Sequence, residues 1–200
     1  MDHDDGRRIL FVFRHGETDW NREGRLQGQT DTPLNATGLA QAEALALRLH
    51  PHRLDAVVSS DLQRALTTAR IIGEILRVPV TIDHGLCETG VGLAEGMLWE
   101  EAQARFGAEL TERWYAENNV AFPGGETGAA TLARGLAALR RFAEATTHRR
   151  IGVSTHGAMV RQLIKHALPP GVTPVRARNT ALFVLDYQPA TNRLTLIDAD

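Results

Sequence analysis

The sequence predicts an α/β domain built on a largely parallel sheet with helices on both faces. Three observations predict it. Short apolar runs alternate with segments of helical periodicity along the chain. The longest runs, Ile9–Phe13 and Ala181–Leu185, are five residues each and read as buried strands. The length of 200 residues suits one domain, residues 1–200, and neither a repeat nor a linker interrupts it.

Arg8–Phe13 opens the fold as a strand ended by Arg14-His15-Gly16. A polar loop with three glycines and Pro33 runs to about Asn35. From Thr37, the residues Leu39, Ala42, Leu45 and Leu49 recur at helical spacing. Asp55–Ser59 is a second strand, and Asp61 is placed to cap a helix striped by Leu62, Ala65, Ala69, Ile72 and Leu76. Val78–Ile82 is a third strand. Gly85–Gly96 holds four glycines, too many for a helix interior. Leu98–Phe106 and Glu109–Glu117 read as helices, and Phe122-Pro123-Gly124-Gly125 as a turn. Thr127 caps a long helix with Leu132, Leu136, Leu139 and Phe142 on one face. Ile151–Thr155 is a strand and Gly157–Ala167 a helix, stopped by Pro169-Pro170-Gly171. Ala181–Tyr187 and Arg193–Ile197 are terminal strands joined by a turn at Pro189–Asn192.

Composition narrows the function. There are 22 basic against 24 acidic side chains, giving a formal net charge of −2, which argues against a nucleic-acid partner. No apolar run approaches the roughly twenty residues of a membrane helix. The acidic start, Met1 to Asp5, does not fit the cationic beginning of a signal peptide. The single cysteine, Cys87, has no partner for an internal disulfide, so the default location is cytoplasmic. Lys165 is the one lysine and follows Ile164, which excludes a P-loop. Neither an HExxH zinc motif nor a G-x-S-x-G turn occurs. Leu93 stands where a cysteine phosphatase would need arginine. Asp2-His3-Asp4-Asp5-Gly6 loosely resembles an aspartyl-phosphatase loop, but no strand precedes it, and it reads as a frayed terminus. No ligand set with recognisable metal spacing appears, so the expectation is neither metal nor cofactor.

Ligands of such sheets bind outside the carboxyl ends of the strands. Two strands end alike there, in Arg14-His15-Gly16 and Thr155-His156-Gly157. One such histidine could be a turn residue; two, with Arg14 beside one, suggest a site. Arg64 falls in a first helical turn, where a cation is mildly unfavourable unless an anion binds. Arg14, His15, Arg64 and His156 together describe a pocket for a phosphate dianion with one nucleophilic imidazole. Arg charge nearby favours the neutral, nucleophilic form of the ring. Glu88, in the Gly-rich loop after the third strand, is the candidate general acid.

These residues resemble the histidine phosphatase superfamily in its phosphoglycerate mutase-like branch. The run Phe13-Arg14-His15-Gly16-Glu17-Thr18-Asp19-Trp20-Asn21 looks like the family's opening motif. Arg25-Leu26-Gln27-Gly28, Asp31-Thr32-Pro33-Leu34, Ser59-Ser60-Asp61-Leu62 with Arg64, and Leu86 with Glu88 follow in the family's order. Pro123-Gly124-Gly125-Glu126-Thr127, Val153–Gly157 with Arg161, and Asn179 complete the series. The resemblance implies a three-layer α/β/α sandwich with a mostly parallel mixed sheet. It implies that His15 becomes phosphohistidine, that Arg14, Arg64 and His156 hold the phosphoryl oxygens with help from Asn21, and that Glu88 protonates the leaving oxygen and then activates water. Gln27, Gly28 and Thr30 line up with the loop bordering the substrate. Cys87 has no implied role and reads as a packed small residue.

The expected activity is metal-independent hydrolysis of a small phosphomonoester. Mutases of the branch have a longer, basic segment between the acid and the second histidine. Here the segment is short and Lys165 lies beyond His156, although Arg105 and Arg113 could substitute. A cofactor-dependent phosphoglycerate mutase is therefore the alternative, and a catalytically silent phosphate-binding or scaffold protein is the alternative of another class. A homodimer is left open.

Overall fold

The computed structural model describes residues 6–117, 119–169, 172 and 177–199. The expectations for Asp2–Asp5 and for Pro170-Gly171 lie outside them. The elements are β1 (Arg8–Arg14), α1 (Asp19–Glu23), α2 (Ala36–Leu49), β2 (Ala56–Ser59), α3 (Gln63–Leu76), β3 (Val80–Ile82), α4 (Trp99–Phe106), α5 (Ala108–Ala116), α6 (Gly128–Ala145), β4 (Arg150–Thr155), α7 (Gly157–Ala167), β5 (Leu182–Gln188) and β6 (Arg193–Ala199). The strands form one sheet in the order β3-β2-β4-β1-β5-β6. The first four run parallel, while β5 pairs antiparallel with β1 on one side and with β6 on the other. This is a three-layer sandwich with a mixed, mostly parallel sheet.

Alternation along β1 divides the core, because successive strand side chains point to opposite faces. Leu10 and Val12 pack with Leu139 and Phe142 of α6 and with Met159 and Leu163 of α7. Phe11 and Phe13 pack with Leu45 and Leu49 of α2 and Ile72 of α3. Each fully buried side chain of this size contributes about 1.5–3 kcal/mol. A third cluster, with Val91, Ala102, Trp114 and Phe122, lies under α4 and α5.

N-cap side chains start α1, α2 and α6. Asn35 accepts from Gly38 N at 2.8 Å for α2, and Thr127, as expected, accepts from Ala130 N at 3.2 Å for α6. Two expectations are corrected. Leu39 is 42% exposed, and α2 buries Gly38, Ala42, Leu45, Ala46 and Leu49 instead. Gly38 belongs inside because a Cβ there would lie 2.1 Å from Glu17 O. Asp61 does not cap α3. Asp31, from the preceding loop, accepts from Gln63 N at 2.7 Å and from Gln63 Nε2 at 2.9 Å. The loop after β1 also contains α1, closed by a reciprocal Thr18–Asn21 cap and ended by Gly24 at φ 76°.

The two central strands place the histidines. β1 and β4 pair in parallel with Arg14 opposite Thr155, so His15 and His156 leave adjacent strand ends. Helix α2, beyond the loop after β1, covers one face and α7, directly after β4, the other. This is the crevice where ligands bind in open α/β sheets.

Candidate active site

A pocket of about 140 Å³ opens at this crevice. Its lining includes Arg14, His15, Asn21, Gln27, Gly28, Arg64 and Glu88. That is small beside the roughly 300–1,000 Å³ that drug-sized ligands occupy.

His15 is only 2% exposed. Its Nδ1 lies 2.6 Å from Gly16 O. A carbonyl can only accept, so Nδ1 carries the proton and Nε2 keeps its lone pair. Burial, then the charges of Arg14 and Arg64, holds this imidazole well below its ordinary 6.5, against the opposing bond to Gly16. The ring is therefore neutral at pH 7 with Nε2 as a nucleophile.

The surrounding groups are donors. Arg64 is 1% exposed and gives two N–H groups to Thr30 O at 2.7 Å and Gly28 O at 2.8 Å. Its buried Nε has no hydrogen-bond partner, and among the described residues no carboxylate pairs with it. A buried guanidinium without a counterion is costly unless an anion supplies the charge. Asn21 Oδ1 accepts from Thr18 N and Asn179 Nδ2, at 3.2 and 3.1 Å, so its NH₂ is the group it offers the pocket. Gln27 Oε1 is likewise taken by Thr18 and Thr32 hydroxyls, at 3.1 and 2.6 Å, leaving its NH₂. Arg14 donates to Ala177 O at 2.9 Å and lies beside Gly157, near Glu88.

His156 is wholly buried, 5.2 Å from His15 between ring centroids. Its Nε2 meets Ser60 Oγ at 2.8 Å, while its buried Nδ1 has no partner. Burial first, then the charges of Arg64, His15 and Arg14, depress its pKa well below the ordinary 6.5. Glu88 occupies the N-terminus of α7. Its Oε1 accepts from Thr89, Ala158 and Met159 N–H at 2.9, 3.1 and 3.3 Å, and its Oε2 accepts from Ala158 N at 3.1 Å. The carboxylate thus does the capping that His156 does not.

The structure brings together every expected site residue except that His156 and Thr30 stand behind the lining. The Thr30 hydroxyl donates to Glu95 at 2.6 Å, and only its carbonyl reaches Arg64. Arg105 lies over the Phe106 ring, and Arg113 pairs with Glu117 at 2.9 Å on the surface, both outside the lining. Sequence reasoning missed several supports. Arg134 donates to the carbonyls of Gly85, Cys87 and Glu88 and pairs with Glu126, fixing the acid loop. Burial raises the Glu126 carboxyl, but Arg134 and Gly90 N–H outweigh it and hold the group below its ordinary range. Trp114 also lines the pocket, braced by Arg161, whose guanidinium lies 5.3 Å from its ring. Side-chain pairs joining elements so far apart in sequence leave no periodic signal. Asp61, His84 and Cys87 gather ligand-type atoms within 4.8 Å of one another, a grouping also absent from the linear spacing.

Comparison with protein-family models matches residues 10–200 to the histidine phosphatase superfamily (branch 1). The chain belongs to that superfamily. It is 38% identical over 157 residues to a metal-independent phosphoserine phosphatase of Arabidopsis thaliana, covering 77% of this chain and 66%, just under two thirds, of that protein. It is 35% identical over 179 residues to phosphoglycerate mutase-like protein 4 of the same plant, covering 88% and 77%. A mycobacterial glucosyl-3-phosphoglycerate phosphatase in complex with VO3 superposes with a TM-score of 0.84 at 30% identity, covering 96% of both chains. Among the described residues no helix is long and apolar enough to cross a membrane.

Proposed function

We propose that this protein hydrolyses small phosphomonoesters through a phosphohistidine on His15, without a metal ion. The observation that carries the reading is the 2.6 Å bond from His15 Nδ1 to Gly16 O, which leaves the neutral Nε2 lone pair among guanidinium and amide donors. Nε2 attacks phosphorus and the P–O bond to the leaving group breaks. Glu88 takes up a proton from solvent as the phosphate dianion binds beside it, and the departing oxygen takes that proton. Water then attacks the phosphohistidine, returns a proton to Glu88 and releases phosphate, restoring neutral His15. Arg14, Arg64 and the Asn21 and Gln27 amides hold the phosphoryl oxygens. The orphaned His156 Nδ1 supplies a further donor when Ser60 donates to Nε2. Gly28 and Thr30 border the substrate by positioning Arg64 through their carbonyls.

Discharge to water, rather than to a second acceptor, is supported by the charges around the pocket. A mutase must hold and reorient a bisphosphate away from water. Lys165 instead donates to Ala116 O at 2.9 Å, and Arg113 is committed to Glu117. Arg25 lines the pocket but pairs with Glu23 at 2.6 Å. With 3-phosphoglycerate and catalytic 2,3-bisphosphoglycerate, inorganic phosphate should form faster than 2-phosphoglycerate. Rapid 2-phosphoglycerate with negligible phosphate would establish the mutase reading instead.

A further inference from the structure

Cys87 does more than fill space. Its Sγ lies 2.7 Å from Asp61 Oδ1 and 3.4 Å from His84 Nδ1, and His84 Nδ1 lies 3.0 Å from Asp61 Oδ2. Tetrahedral zinc has bonds of about 2.3 Å to sulfur and about 2.0 Å to nitrogen and oxygen, which sets ligand atoms roughly 3.3–3.6 Å apart. Two of the three separations stand within a few tenths of an ångström of that. The third is a thiol–carboxylate hydrogen bond, and it opens when a cation replaces the thiol proton. Sulfur, imidazole and carboxylate together suit a borderline-soft cation rather than magnesium or calcium. His84 is 74% exposed along its side chain, so the cluster is open to solvent on that side.

The same sulfur reaches the active site. Ser60 Oγ lies 3.5 Å from Cys87 Sγ and 2.8 Å from His156 Nε2. The hydroxyl has one proton, which serves only one of these acceptors at a time. Given to His156 Nε2, it leaves the ring proton on Nδ1, where it can meet a phosphoryl oxygen. Given to a thiolate, it makes Nε2 the protonated nitrogen and turns Nδ1 into a lone pair facing that oxygen.

We propose that Asp61, His84 and Cys87 form a zinc-type cation site whose occupancy slows phosphoryl transfer through Ser60 and His156. On binding, a metal–sulfur bond replaces the S–H bond and the thiol proton leaves to solvent. The neutral His84 ring ligates through Nδ1 and carries its proton on the exposed Nε2. The thiolate draws the Ser60 hydroxyl toward itself. The site stands on geometry alone; the slowing rests on the phosphatase reading above.

The test uses the whole protein, stripped with chelator and titrated with Co²⁺. Cys87 is the single cysteine, so a thiolate-to-cobalt charge-transfer band reports on it alone. One equivalent should produce the band, Zn²⁺ should displace it, and Cys87→Ser should lack it. His84→Ala, a surface change, should keep the fold and weaken metal binding at least about tenfold, as expected for losing a ligand. Zn²⁺ should slow hydrolysis of p-nitrophenyl phosphate by at least about tenfold, the lower end of the cost of losing one hydrogen bond to a charged group. Both variants should resist that inhibition at the same zinc concentration. No thiolate band, or a band that persists in Cys87→Ser, overturns the site. A normal band with unchanged turnover overturns the coupling through Ser60. Absence of any phosphatase activity counts against the earlier reading and leaves the band as the measure of the site.

Discussion

Replacing Glu88 with glutamine separates its proton from its place in the fold. Three of its four N–H contacts go to Oε1, from Thr89, Ala158 and Met159. The amide oxygen of Gln can take that position unchanged. Its NH₂ then replaces Oε2, which shares only the Ala158 N–H. The loss is one shared hydrogen bond, about 1 kcal/mol, plus about 0.3–1 kcal/mol of favourable charge at the start of α7. At about 2–4 °C per kcal/mol for a chain of this size, the melting temperature should fall by only a few degrees. The chemistry should suffer far more. A positioned general acid contributes about 10²–10⁴-fold, and 10²-fold corresponds to about 2.7 kcal/mol of barrier. First-turnover release of glycerol from glycerol phosphate, whose alkoxide needs a proton, should slow by at least about 10²-fold. First-turnover release of nitrophenolate from p-nitrophenyl phosphate should slow much less, because nitrophenolate leaves unaided. KM should not rise, since removing a carboxylate near Arg64 strengthens anion binding. Equal losses on both substrates would move the acid role elsewhere. Glu17 would be tested next, because Glu126 is already committed to Arg134.

Other outcomes follow from the same geometry. His15 must be neutral to attack, and burial with Arg14 and Arg64 lowers its pKa, so the acid limb of kcat/KM should lie below pH 6.5; a limb above 6.5 would contradict this. The same depression has a stability sign. The unfolded chain protonates these histidines near pH 6.5 while the native state does not, so stability is lost as pH falls below about 6.5. Urea midpoints at two pH values should show that loss, at up to about 1.4 kcal/mol per pH unit for each histidine, and His15→Gln should lessen it. Chelator should lower turnover by no more than about twofold, and loss restored by Mg²⁺ would refute metal independence.

Much of the fold was legible because its signals are local. Five-residue apolar runs gave β1 and β5, and the Arg-His-Gly and Thr-His-Gly ends gave both histidines at the ligand edge. Thr127 was legible as a cap because it bonds within its own helix. Asp61 was misread for the opposite reason. Its position before α3 looks like a cap, but Asp31 reaches in from a loop some thirty residues earlier and frees Asp61 for Cys87 and His84. Helix α1 escaped because its five residues, with Trp20 the one apolar side chain, carry no apolar period. The roles of Ser60, Arg134 and Asn179 were hidden because each acts through a neighbour distant in sequence.

The central claim is attack by His15 Nε2, and the linkage of the trapped phosphoenzyme tests it most directly. The enzyme is mixed with substrate, quenched in base, where phosphoramidates survive, and examined by phosphorus NMR and peptide mapping. Because Nδ1 is committed to Gly16 O, the phosphoryl group should sit on Nε2 of His15 and should be absent from His15→Ala. Phosphate on Nδ1, on another residue, or on none at all would contradict the account.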